Sequence, residues 1–158
     1  MQGFKVKGTW RWDKVLVFPV LVYHVHVCNK GCDMAGLGKD TPKATEIKLH
    51  RRSKLLQISF ADGNTFQIPC EFLRVYSPSA EVRGHGSGQE VLQTGKRDVN
   101  IDHIEPVGSY AIQLNFSDGH NTGLYSWDLL YEYGLHQDKM WQHYLQRLEQ
   151  VGTSREPS

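Results

Sequence analysis

The sequence predicts an α+β fold: a small single domain of two antiparallel hairpin-plus-helix units with a C-terminal helix. Three observations carry this expectation. Ile47, Leu49, Leu56, Ile58 and Phe60 alternate with polar neighbours, the period of half-buried strands. Asp-Gly pairs at 62–63 and 118–119 interrupt β-rich runs, a strong hairpin signal. The pattern also recurs: shifted by 56 residues, Gln57, Ile58, Phe60, Asp62, Gly63, Ile68 and Leu73 fall on Gln113, Leu114, Phe116, Asp118, Gly119, Leu124 and Leu129. Two copies are too few for a solenoid, so the units are expected to share one core.

The N-terminal segment differs from the rest. Residues 1–33 hold five Lys/Arg against two Asp, a net of +3, while residues 34–158 hold 13 against 15, a net of −2. The formal charge of +1 is the sum of these parts. The apolar run at 15–27 has 13 residues, and a membrane-spanning helix needs about 20. Pro19 divides it, and no small-residue cleavage site follows before Cys28. Its β-branched content favours a short extended segment. His24, His26, Cys28 and Cys32 are good zinc ligands in type, but they include no C-x2-C pair. The break in character at Met34 leads us to expect residues 1–33 to stand outside the fold, as sequence upstream of a start at Met34.

The body is expected to span about residues 44–150. A strand is predicted from Glu46, a second ends at the Asp62-Gly63 turn, and Phe66-Gln-Ile68 returns. Pro69 is suited to a helix's first turn, where its missing N–H costs nothing, so 71–76 reads as a short helix. In the second copy, strands at 110–116 and 121–125 lead to a helix at 127–133. Ser126 stands at its N-cap position and Gly134 at its C′ position. Met140, Tyr144, Leu145, Leu148 and Val151 form one stripe of a last helix at 138–151. The polar tail, 151–158, is expected to fray.

Residues 77–93 are the least regular stretch, with Gly84, Gly86 and Gly88 around His85 and Ser87. They follow neither the dinucleotide-binding nor the P-loop pattern. Near-neutral charge excludes the global basicity of a dedicated nucleic-acid binder, and aromatics do not alternate with basic residues. Neither a G-x-S-x-G elbow nor an H-E-x-x-H helix is present. Cys70 reads as a small core residue, and three cysteines are too few for a disulfide scaffold, so a reducing cytoplasm is the expected location.

Three stretches together are specific: Leu73-Arg-Val-Tyr-Ser-Pro-Ser-Ala-Glu-Val-Arg-Gly-His85-Gly, Val99-Asn-Ile-Asp-His-Ile-Glu-Pro-Val-Gly108 and Phe116-Ser-Asp-Gly-His120-Asn-Thr-Gly-Leu-Tyr-Ser-Trp127. From about Thr45 to Leu148 the chain resembles the gamma-butyrobetaine hydroxylase-like N-terminal domain. That domain stands alone in small bacterial proteins, precedes the catalytic domain of carnitine-pathway dioxygenases, and is fused to some Mrp-type iron–sulfur carrier ATPases. In the dioxygenases it carries a structural zinc held by a C-P-C-x-x-C loop and the histidine of a D-G-H turn. Here the histidine is His120, while Ser77, Ser79 and Val82 hold the cysteine positions. Neutral hydroxyls and a valine do not replace thiolates, so the resemblance implies no inherited zinc site and no cofactor. Glu81, His85 and His120 are the weak candidates for an oxygen/nitrogen site for iron or zinc. The iron-binding facial triad of the dioxygenases sits in their catalytic domain, and nothing after residue 130 leaves room for one, so the resemblance implies a non-enzymatic binding or adaptor module; the expected partner is a protein, with neither nucleic acid nor membrane. Its expected surface comprises Arg74, Ser77, Ser79, Arg83, His85, His120 and Trp127. The alternative is a metal-binding protein of iron or iron–sulfur metabolism.

Overall fold

The computed structural model describes residues 11–17, 20–26, 41–84 and 90–157. Two antiparallel sheets share one core with the helices. The first has the order β1 (Arg11–Val17), β2 (Val20–His26), β3 (Ala44–His50), β4 (Leu55–Phe60) and β5 (Thr65–Pro69). Then come α1 (Cys70–Val75) and the single turn α2 (Ala80–Arg83). The second sheet is β6 (Ile101–Val107), β7 (Ala111–Phe116) and β8 (Leu124–Ser126), followed by the 25-residue α3 (Trp127–Val151). Among the described residues, no helix is long and apolar enough to cross a membrane.

The repeat survives as architecture: β3-β4-β5-α1 matches β6-β7-β8-α3, and β4 maps onto β7 under the 56-residue shift. Alternation places Ile47, Leu49, Leu56, Ile58 and Phe60 inward in the first unit, and Ile112, Leu114 and Phe116 in the second. All belong to one hydrophobic cluster with Phe72, Leu73, Tyr125, Trp127 and Leu130. Burial of each such side chain contributes about 1.5–3 kcal/mol. The two Asp-Gly turns are built alike. Phe60 N–H donates to Asn64 C=O and Phe116 N–H to His120 C=O, at 2.8 and 2.9 Å. Gly63 and Gly119 sit at φ +91° and +84°, a region that favours glycine.

Four expectations require correction. The segment expected outside the fold supplies β1 and β2, and β2 pairs with β3 from Val20↔His50 to His24↔Glu46. The physical reason is that β3 otherwise leaves a row of backbone donors and acceptors open on that side. Cys28 and Cys32 lie outside the described residues. β6 had no counterpart in the sequence reading. A bulge between Ile101 and His103 breaks its alternation, so its buried residues Ile101 and Ile104 are three apart. The two predicted helices after Ser126 are one, because Gly134 is interior to α3 rather than its stop. A Cβ at Gly134 would overlap the Phe66 ring of β5. The helix ends instead at Gly152, at φ +71°.

The fourth correction concerns the tail, which is tied down rather than frayed. Gly95 and Arg97 N–H groups donate to the Ser154 and Arg155 carbonyls, at 3.2 and 3.1 Å. The Arg155 guanidinium forks onto the buried Glu71 carboxylate, with Nε at 2.9 Å from Oε1. It also stacks 5.1 Å over the Trp141 ring. A buried carboxylate on α1 needs a partner, and the polar tail supplies one.

Candidate functional site

The second Asp-Gly turn projects His120 between the end of α1 and the α2 turn. Asp118 starts the arrangement: its Oδ1 accepts from the His120 backbone N–H at 3.3 Å. Its Oδ2 accepts from Arg74 Nε at 2.8 Å and Lys96 Nζ at 2.7 Å. Burial works against this carboxylate, but the Lys96 hydrogen bond and the Arg74 charge hold its pKa below the usual range. Arg74 also donates to the Gln93 side chain at 3.1 Å, which ties the 90–93 stretch to the same knot.

His120 is 7% exposed and engaged through both ring nitrogens. Nδ1 lies 3.2 Å from Glu81 Oε2, and Nε2 lies 2.8 Å from Ser77 Oγ. A carboxylate only accepts, so Nδ1 carries the proton and Nε2 accepts from the Ser77 hydroxyl. Burial, then the Arg74 charge, lowers the His120 pKa and favours this neutral form. Ser77 Oγ also receives the Ser79 N–H at 3.4 Å. A Cβ at Gly123 would overlap that oxygen, so glycine is what lets the β8 approach lie against it. Tyr125 closes the base of the joint, donating its hydroxyl to Leu73 C=O at 2.6 Å.

Of the sequence-predicted residues, Arg74, Ser77, Ser79 and His120 come together, but not as a surface: all four are buried, so this part of the expected contact face is an interior joint. Trp127 is not part of it and is buried at the other end of β7. Trp127 is 1% exposed and donates its Nε1–H to Ser109 C=O at 2.9 Å. The joint is interior because the 77–83 segment folds down onto the Asp-Gly-His turn and covers it. Arg83 alone of the described members stays exposed, and His85 lies outside the described residues. The reading also missed Asp118, Lys96 and Gln93. Only the matched Asp-Gly turns hinted at Asp118.

The positions that the resemblance assigns to zinc can be tested on their chemistry. Ser77 is spent on His120, and Val82 places buried methyl groups where a thiolate would be needed. Ser79 Oγ is buried with no hydrogen-bond partner among the described residues. One imidazole with both nitrogens engaged, two hydroxyls and a valine do not fit zinc. No group of three or more His, Cys, Asp or Glu side chains that could hold a metal ion occurs among the described residues.

Beside the joint opens a cleft of about 530 Å³. Ser77, Val82, Arg83 and Gly84 form one wall, and Leu129, Tyr133, Met140 and Tyr144 of α3 another. Its tyrosines are already committed: Tyr76, Tyr133 and Tyr144 donate to the Met140, Tyr76 and Gln93 carbonyls. Arg147 and Glu90 pair at the rim.

Fold and joint together define a small α+β domain of two interlocked hairpin-plus-helix units. The chain belongs to the family described as gamma-butyrobetaine hydroxylase-like, N-terminal, whose family model matches residues 47–131. It is similar to two proteins with NMR solution structures. One is 53% identical, with 78% of this chain and 92% of that one covered and a TM-score of 0.67. The other is 45% identical, with 75% and 93% covered and a TM-score of 0.66. A crystal structure from Acidithiobacillus ferrooxidans, described as a protein with unknown function of the DUF971 family, is 39% identical. It covers 56% of this chain and 88% of its own, with a TM-score of 0.48. No curated protein matches the chain significantly.

Proposed function

We propose that the chain is a non-catalytic binding module that engages a protein partner through the cleft. The observation that carries this reading is the contrast between a sealed joint and the open cleft beside it. Ser77, His120 and Glu81 have the connectivity of a nucleophile, a base and an orienting acid. Attack requires a carbonyl carbon within roughly 3 Å of the serine oxygen. Ser77 is 1% exposed, and the Gly123 backbone fills the space against its Oγ. The chain of hydrogen bonds therefore works as an internal fastening. The cleft, by contrast, offers apolar walls at Val75, Val82, Leu92 and Met140 and a charged rim at Arg83, Glu90 and Arg147. An apolar centre with a polar rim is the anatomy of protein–protein contact.

Two measurements test the reading. A fluorophosphonate probe is expected to leave Ser77 unlabelled; labelling lost in Ser77→Ala would replace the binding module with a hydrolase. A photo-crosslinking residue placed at Val91, on the cleft wall, is expected to capture a discrete protein from the native host. The same residue at exposed Leu124 is expected to capture none. Equal capture at both positions would remove the cleft from the proposal.

A further inference from the structure

The misfit with zinc has a positive counterpart. We infer that in this chain a metal-free hydrogen-bonded clasp, Ser77–His120–Glu81, fastens the 77–84 segment to the Asp-Gly-His turn. The clasp spans what a metal would span. It joins a residue after α1, the α2 turn and the β7–β8 turn, which are separated by 39 and 43 residues along the chain. Its polar partners are complementary without a cation: carboxylate to Nδ1–H, Nε2 to hydroxyl, hydroxyl oxygen to backbone N–H.

The clasp also fixes the cleft, because Ser77, Val82, Arg83 and Gly84 form its wall. Losing the clasp should loosen that wall ahead of the sheets.

The test uses the full chain, purified without a tag, with a zinc salt as the probe. The wild type is expected to retain no zinc after gel filtration and to melt at the same temperature with or without EDTA. One retained zinc per chain, lost in His120→Ala, would overturn the clasp. Ser77→Ala is expected to speed amide hydrogen exchange at Val82, Arg83 and Gly84 by about tenfold, as the loss of one hydrogen bond implies. Exchange in β4 and β7 should be unchanged. Equal exchange at the three amides in both proteins would also overturn it.

Discussion

His120 is held by Ser77, Glu81 and the Asp118 turn, and its removal strands the buried Ser77 hydroxyl. His120→Ala leaves Ser77 Oγ without its main partner in a buried place. The expected cost is about 2–3 kcal/mol, read by urea unfolding at neutral pH. The pH dependence follows from the sign of the shift. His120 titrates below its ordinary 6.5 in the folded chain, so the unfolded state takes up protons first as pH falls. Its stabilisation is complete above 6.5 and is lost as pH drops from there toward the folded value. Asp118 adds a second, lower step: its folded pKa lies below 3.8, so its contribution fades only in strong acid. The groups facing His120 are Arg74, Glu81 and Asp118. In a comparison of unfolding curves from pH 7.5 to 5, His120→Ala should lose the upper step; an unchanged pH profile would assign that step to another histidine. At this scale, the sequence identified Ser77, Ser79 and His120 as neighbours through the resemblance. It could not show that they are buried, because the covering fold of 77–83 depends on contacts 40 residues away.

Gly134 shows how an element boundary is decided by packing. Glycine commonly ends helices and costs about 1 kcal/mol inside one, so a stop was the natural local reading. In α3 it marks the closest approach of the helix to Phe66 of β5. Gly134→Ala should therefore destabilise the protein by about 1–3 kcal/mol through overpacking, despite better helix propensity. Combining it with Phe66→Leu should recover part of that loss in thermal melts. If Gly134→Ala alone raises the melting temperature, the packing argument fails. β4, β5 and β7 were legible because each alternates or flanks an Asp-Gly turn. β6 was not, since its bulge moves the apolar residues off period two. Likewise Val151, read as part of the buried stripe, is 70% exposed, while Tyr144 and Leu148 are buried as expected.

Across the whole molecule, the last residues secure one of the first helices. Glu71 has a side chain only 7% exposed, with Arg155 as its cationic partner. Arg155→Ala leaves that carboxylate buried and unpaired and removes the stacking on Trp141. Arg155 is itself about a third exposed, so solvent offsets part of the loss, and about 1–2 kcal/mol is expected. Arg155→Ala,Glu71→Gln should lose less than Arg155→Ala in denaturant melts; equal losses would mean that the charge is solvated after all. The sequence could not reveal this pairing, because 84 residues separate the partners and a short polar terminus ordinarily frays.

The two Asp-Gly turns have one more property in common. Asp62 accepts from Tyr131 of α3 at 2.7 Å, and Asp118 accepts from Arg74 of α1 at 2.8 Å. Each unit's turn is thus gripped by the other unit's helix, and α3 of the second unit lies on β5 of the first. The two units are therefore expected to behave as an obligate heterodimer whose subunits are covalently joined. Severing it between Gly84 and Glu90 should give two fragments that are unfolded apart and reassemble when mixed. Mixing labelled and unlabelled fragments in NMR would show this by the return of dispersed signals only in the mixture. A fragment that folds alone would mean that the repeats are independent modules, joined rather than exchanged.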